Sequence, residues 1–173
     1  MEIPLNQAAF TSRHVGVAAE AFAAAVFAQC GVDISVQYGA NQPEYDLIVA
    51  RGECLLKVSV KGSKDGGWGL TQSFLKNAQY HAAVDTWHAR HKPRTVICFV
   101  QFQGVPVGAM PRIYLATPIE VAALLKAASG GRGDTILHER HKRGPKASGA
   151  GTVDEIPDNW RFSIARVNDL LAA

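Results

Sequence analysis

The sequence predicts an α/β (α+β) fold, a central mixed β-sheet flanked by helices, in a single domain spanning 1–173. Three observations carry that expectation. Residues 44–63 read as two apolar strands joined at Arg51-Gly52. Residues 12–29 repeat apolar side chains at helical spacing. Residues 94–102 are an almost unbroken run of β-branched and aromatic residues, the pattern of a strand covered on both faces.

In chain order, Val15, Ala18, Ala19, Phe22, Ala25 and Val26 define the first helix, with Thr11 or Ser12 as N-cap and Cys30-Gly31 as the stop. Glu20 is the only charged residue between His14 and Asp33. It reads either as a solvent-facing carboxylate or as one turned into a site. Asp33 to Tyr38 alternates as a short strand, ended by Gly39-Ala40-Asn41-Gln42-Pro43. In the hairpin that follows, Leu56, Val58 and Val60 point to one side and Lys57, Ser59 and Lys61 to the other, which predicts one core face and one polar face. Four glycines between Gly62 and Gly69 predict a flexible loop directly after Lys61, able to close over a bound substrate.

A second helix is expected from Ser73 to His91, ended by Pro93, with Gln72, Lys76, Gln79 and Tyr80 as polar groups near its start. Arg94 to Phe102 belongs inside the sheet, and Arg112 to Ala116 forms another strand. Thr117-Pro118-Ile119-Glu120 is a strong helix start, with Thr as N-cap, Pro at the first helical position and Glu three residues after the cap. Residues 130–155 are rich in Gly, Ser and charge and are expected to be a mobile basic loop, with an edge strand at Thr135-Ile136-Leu137. Trp160 reads as an aromatic anchor, and Arg161 to Leu171 as a short strand or helix returning to the core.

Composition narrows the function classes. Hydrophobic residues make up 47% and charged residues 19%, a globular balance rather than a disordered one. No apolar run reaches the roughly 18 to 20 residues of a membrane span. The first residues, Met-Glu-Ile-Pro-Leu-Asn-Gln, lack a basic n-region and a cleavage pattern, so a cytoplasmic protein is expected. Cys30, Cys54 and Cys98 lie in apolar contexts without Cys-x-x-Cys spacing and read as buried thiols. The net charge of +3 is mild, but Arg140, Lys142, Arg143 and Lys146 cluster against a single Glu139. That cluster reads equally as a phosphate contact or as a solvated loop.

The order helix, strand, strand, strand, helix, strand, with Asp46 in Pro43-Glu44-Tyr45-Asp46 and Lys61 in Ser59-Val60-Lys61-Gly62-Ser63, resembles the PD-(D/E)XK, or restriction-endonuclease-like, superfamily. The resemblance covers about residues 12–102 and leaves 103–173 as C-terminal additions. It implies a restriction-endonuclease-like core and a Mg²⁺- or Mn²⁺-dependent endonuclease that hydrolyses phosphodiester bonds in DNA. It further implies Asp46 as central metal ligand, Glu20 on the first helix as accessory carboxylate, and the Val60 carbonyl completing the metal shell. Lys61 would orient the water or stabilise developing negative charge. Lys57, Ser63, Lys64, Lys76, Arg140, Lys142 and Arg143 are the candidate nucleic-acid contacts. A homodimer is also implied, although no residue pattern marks one.

One departure matters. The residue two before the family's lysine is an acid, occasionally Gln, and here it is Ser59, a weaker Mg²⁺ ligand. Glu20 or Glu44 are the candidate replacements. Glu53 shares the parity of Ser59 but is six residues away, roughly 20 Å along a strand. The alternative reading is therefore a weak or inactive nuclease fold serving as a nucleic-acid-binding or protein-interaction module. His88-x-x-His91 and His138-x-x-His141 lack zincin companions, and there is no nucleophile elbow, Walker loop or dinucleotide fingerprint.

Overall fold

A computed structural model describes residues 10–37 and 44–173. Its centre is a five-stranded mixed sheet built from β1 (Asp33–Val36), β2 (Leu47–Arg51), β3 (Cys54–Ser63), β5 (Thr95–Gln101) and β6 (Arg112–Ala116), in the order β1-β2-β3-β5-β6. β1, β2 and β3 form an antiparallel meander, β3 and β5 run parallel, and β5 and β6 are antiparallel. Between β3 and β5 lie β4 (Gly67–Gly69) and α2 (Tyr80–Ala89), the crossover that a parallel pair requires. The mixed α/β class expected from the sequence is the class observed, and no helix among the described residues is long and apolar enough to cross a membrane.

Helix α1 (Ser12–Gln29) starts with a capping box, in which Thr11 accepts from the His14 backbone and His14 Nδ1 accepts from the Thr11 N–H at 3.2 Å. Its buried stripe is Val15, Ala19, Ala23, Val26 and Phe27. The small residues on that stripe let the helix lie close on β3. A Cβ on Gly62 would sit 2.8 Å from Val15 Cγ1 and 2.9 Å from both Ala19 Cβ and the Val15 carbonyl oxygen, so only glycine fits there. α1 shares this face with α4 (Ile164–Ala172), and the core between them gathers Leu47, Val49, Leu56, Val58, Val60, Val96, Cys98 and Val100 with Val167, Leu170 and Leu171.

The opposite face carries α2 and α3 (Pro118–Ala127) over Ile97 and Phe99, with Trp68, Val84, Trp87, Val121, Leu125 and Trp160 filling the layer. α3 begins with the expected capping box of Thr117 and Glu120. β5 is buried at every position, as its composition predicts.

Several expectations are corrected. The polar face of β3 is only partly open: Lys61 is exposed and Lys57 intermediate, but Ser59 is only 3% exposed. The second helix begins at Tyr80 rather than Ser73. Residues 72–74 form a 3₁₀ turn, and Asn77 and Ala78 take positive φ values of 50° and 56°, a conformation a helix interior excludes. The glycine-rich stretch after Lys61 is not an open loop, because β3 continues to Ser63 and β4 pairs with β7 (Ile136–His138). Trp68 in β4 is buried and donates its indole N–H to the Lys61 carbonyl at 2.9 Å.

Residues 130–155, expected as a loop, contain regular elements: β7, which overlaps the expected edge strand, then a hairpin of β8 (Arg140–Lys142) and β9 (Val153–Glu155). Arg143 anchors this unit through ion pairs to both Asp134 and Asp154. The thiols divide too, with Cys98 buried, Cys30 intermediate and Cys54 exposed at the hairpin turn.

Candidate functional site

The site forms where β2 leaves β3. The last ladder bond runs from the Asp46 N–H to the Val58 carbonyl at 2.8 Å. Two residues on, the Val60 N–H faces the same side of the strand and has lost its backbone partner. The Asp46 carboxylate takes its place, accepting from Val60 through Oδ2 at 2.6 Å. The Val60 carbonyl shares that orientation and faces the gap that β2 has vacated. On the other edge of β3 the ladder to β5 continues, with Phe102 donating to Ser63.

Glu20 follows the buried Ala19 and sits on the flank of α1, half-buried. Its carboxyl is raised from the ordinary glutamate value, first by burial and then by the negative charge of Asp46, while Lys61 works in the opposite direction. Glu20, Asp46 and Lys61 therefore lie within one electrostatic neighbourhood, although they come from α1, the start of β2 and the end of β3. The Lys61 side chain is exposed, on the sheet face opposite α1, beside the buried Ser59. Neither the Glu20 carboxylate nor the Lys61 ammonium has a hydrogen-bond or ion-pair partner among the described residues. A cleft of about 280 Å³ runs from Ser12 and Val15 past Val60 and Lys61 to Lys64 and Leu70.

Glu44 does not turn toward Ser59's place. Its Oε1 accepts from the Lys92 backbone at 3.3 Å, tying it to the segment before β5. Beside it stands His91, which sequence reasoning considered only as half of a zinc pair. Its Nδ1 lies 3.0 Å from the Trp87 carbonyl, which can only accept, so Nδ1 carries the proton and Nε2 keeps its lone pair. Burial lowers the His91 pKa and the nearby Lys61 charge adds to this, against opposing effects from the Trp87 hydrogen bond and Glu44. No pattern in the chain singles this histidine out.

The candidate nucleic-acid contacts are scattered. Lys57 sits over the Tyr45 ring at 5.9 Å, the buried Ser63 donates to Asp65 at 2.9 Å, and Lys64 donates to the Phe10 carbonyl. Lys76 is exposed in a separate groove beside α2. Arg140 pairs with Glu155 at 3.6 Å on the surface, and Lys142 is exposed. Arg143 is the exception that corrects the reading of a basic cluster. Its side chain is 9% exposed and engaged by two carboxylates, an internal tie.

The donors at the β2 exit suit a small hard cation. Two carboxylates, of which Asp46 disfavours the charge of Glu20, with one backbone carbonyl facing the gap left by β2, are of the kind that hold Mg²⁺, which takes one or two acids while keeping several waters. A richer cage is not present: among the described residues no group of three or more His, Cys, Asp or Glu side chains is placed to hold a metal ion. No family model, curated protein or solved structure matches the chain.

Proposed function

We propose that the protein is a cytoplasmic, Mg²⁺- or Mn²⁺-dependent endonuclease acting on DNA, built on a PD-(D/E)XK-like core. The observation that supports this most is that Asp46 and Lys61 both act on the charge of Glu20, with Asp46 held by the Val60 N–H where β2 leaves β3. A divalent ion there supplies charge neutralisation on the phosphate and a water of lowered pKa. Asp46 would offer its second carboxylate oxygen, Glu20 a further carboxylate oxygen, and Val60 its carbonyl. Lys61 brings a mobile positive charge to the phosphate as negative charge grows on its oxygens.

The decisive measurement is cleavage of plasmid and branched DNA with Mg²⁺ or Mn²⁺ by wild type, Asp46→Asn and Lys61→Ala. Activity in the wild type and its loss in both variants is the expected result, and a wild type no more active than the variants refutes the enzyme. A second reading, a nuclease fold retained for binding, is favoured by one observation: the position of the family's second acid is occupied by Ser59, buried and neutral. On that reading the wild type binds DNA without cutting it.

A further inference from the structure

Away from the β2 exit, α2 presents a second concave surface. Gln79, Ala82, Thr86 and Arg90 fall on one stripe of the helix, and Ser73, Phe74 and Lys76 form the facing wall, enclosing a groove of about 570 Å³. The consecutive left-handed residues Asn77 and Ala78 carry the chain from this wall into the helix. No carboxylate lines the groove. The Arg90 guanidinium lies over the Phe74 ring, 4.5 Å from its centroid, and Arg90 is exposed. Neither Lys76 nor Arg90 has an ion pair among the described residues. The Arg90 end of the groove is one residue from His91, whose ring is near enough to Lys61 to feel its charge.

We infer that this groove holds a single DNA strand on its way to the β2 exit, with Lys76 meeting a phosphate and the Phe74-supported Arg90 plane stacking on a base. The inference deepens the nuclease reading and rests on it for the choice of polymer. The chemistry comes from the groove itself: cations without acids select a polyanion, and a flat supported guanidinium selects one that carries π faces. A duplex buries its bases and offers this platform nothing to stack on.

The test is fluorescence anisotropy of a labelled single-stranded oligothymidylate with the wild-type chain in EDTA, where cleavage is not required. All the substitutions fall at exposed positions. Lys76→Gln is expected to weaken binding and reduce the slope of log affinity against log salt by about 0.7. Arg90→Lys keeps the charge and loses the plane, so it should leave that slope alone while weakening binding about fivefold or more. Unchanged affinity in both variants overturns the inference, as does displacement of the strand by poly-glutamate at equal charge, which would make the groove an acidic-peptide site. Mg²⁺-dependent cleavage measured on the same proteins separates the two readings. Cutting by the wild type with normal binding by the groove variants sinks the groove alone, and loss of binding in the variants beside an inert wild type sinks the nuclease alone.

Discussion

Replacing Asp46 separates its structural duty from its proposed chemical one. Asp46→Ala leaves the partly buried Val60 N–H, now bonded at 2.6 Å to the carboxylate, without an acceptor. An unsatisfied buried donor costs about 1–3 kcal/mol. For a chain of this size that corresponds to a fall in Tm of roughly 2–12 °C. Asp46→Asn keeps an acceptor oxygen in place but removes the charge, so most of that loss should be recovered while any divalent-ion-dependent cleavage stays abolished. Urea titration of wild type, Asp46→Asn and Asp46→Ala, read beside a plasmid assay, gives both quantities. The reasoning is refuted if Asp46→Ala is as stable as wild type, or if Asp46→Asn falls as far as Asp46→Ala.

Three other outcomes follow from the packing. Gly62→Ala forces a methyl group to within 3 Å of Val15 and Ala19, and should cost about 1–3 kcal/mol in chemical denaturation. Arg143→Met strips the counter-charge from Asp134 and Asp154, and the uncompensated buried charges should cost about 3–5 kcal/mol. The same cluster sets an acid limit. Burial would raise the Asp134 carboxyl, but the His138 ring 3.7 Å away, hydrogen bonds from Arg143 and the Ile136 N–H, and the Arg143 charge outweigh it and hold the group well below its ordinary value. A depressed carboxylate contributes stability that is complete above its unfolded pKa, about 3.9, and is lost as pH falls toward the folded value. Acid titration should therefore melt wild type progressively below about pH 4, and this dependence should be weaker in Arg143→Met. Finally, an aromatic disulfide reagent should label Cys54 fast, Cys30 slowly and Cys98 only on unfolding, since Cys98 is buried with its thiol pushed far up by burial and then by Asp46.

The elements with strong local periodicity were legible before any coordinates. The α1 stripe, the β2–β3 hairpin, the continuous apolar run of β5 and the Thr117 capping box all follow from residues near one another in the chain. What the sequence hid depends on partners far away. The polar alternation of β3 suggested an exposed face, yet the folded chain buries Ser59 on it. β4 lies among glycines, and only its pairing with β7 makes it a strand. Arg143 looked like one of a run of surface cations because its acids, Asp134 and Asp154, stand on different turns of the chain. The start of α2 was misplaced because nothing in the residue types of Asn77 and Ala78 compels a left-handed backbone. Of the candidate site, Asp46, Lys61 and Glu20 were proposed from the family resemblance, and the structure places Asp46 just before β2, Lys61 in β3 and Glu20 on α1. His91 and the diversion of Glu44 toward Lys92 were not legible, since both arise from how the segment before β5 folds back on the sheet.

The carboxylate that closes the end of the β2–β3 ladder also bears on how descent would mark this chain. Asp46 serves the fold whether or not any phosphate is ever cut, so selection for a folded protein alone would retain it. Among the described residues, neither the Glu20 carboxylate nor the Lys61 ammonium has a structural partner. If the proposed chemistry holds, lineages that gave it up would shed those two first and keep the aspartate, and the joint persistence of Glu20 and Lys61 would mark a working relative.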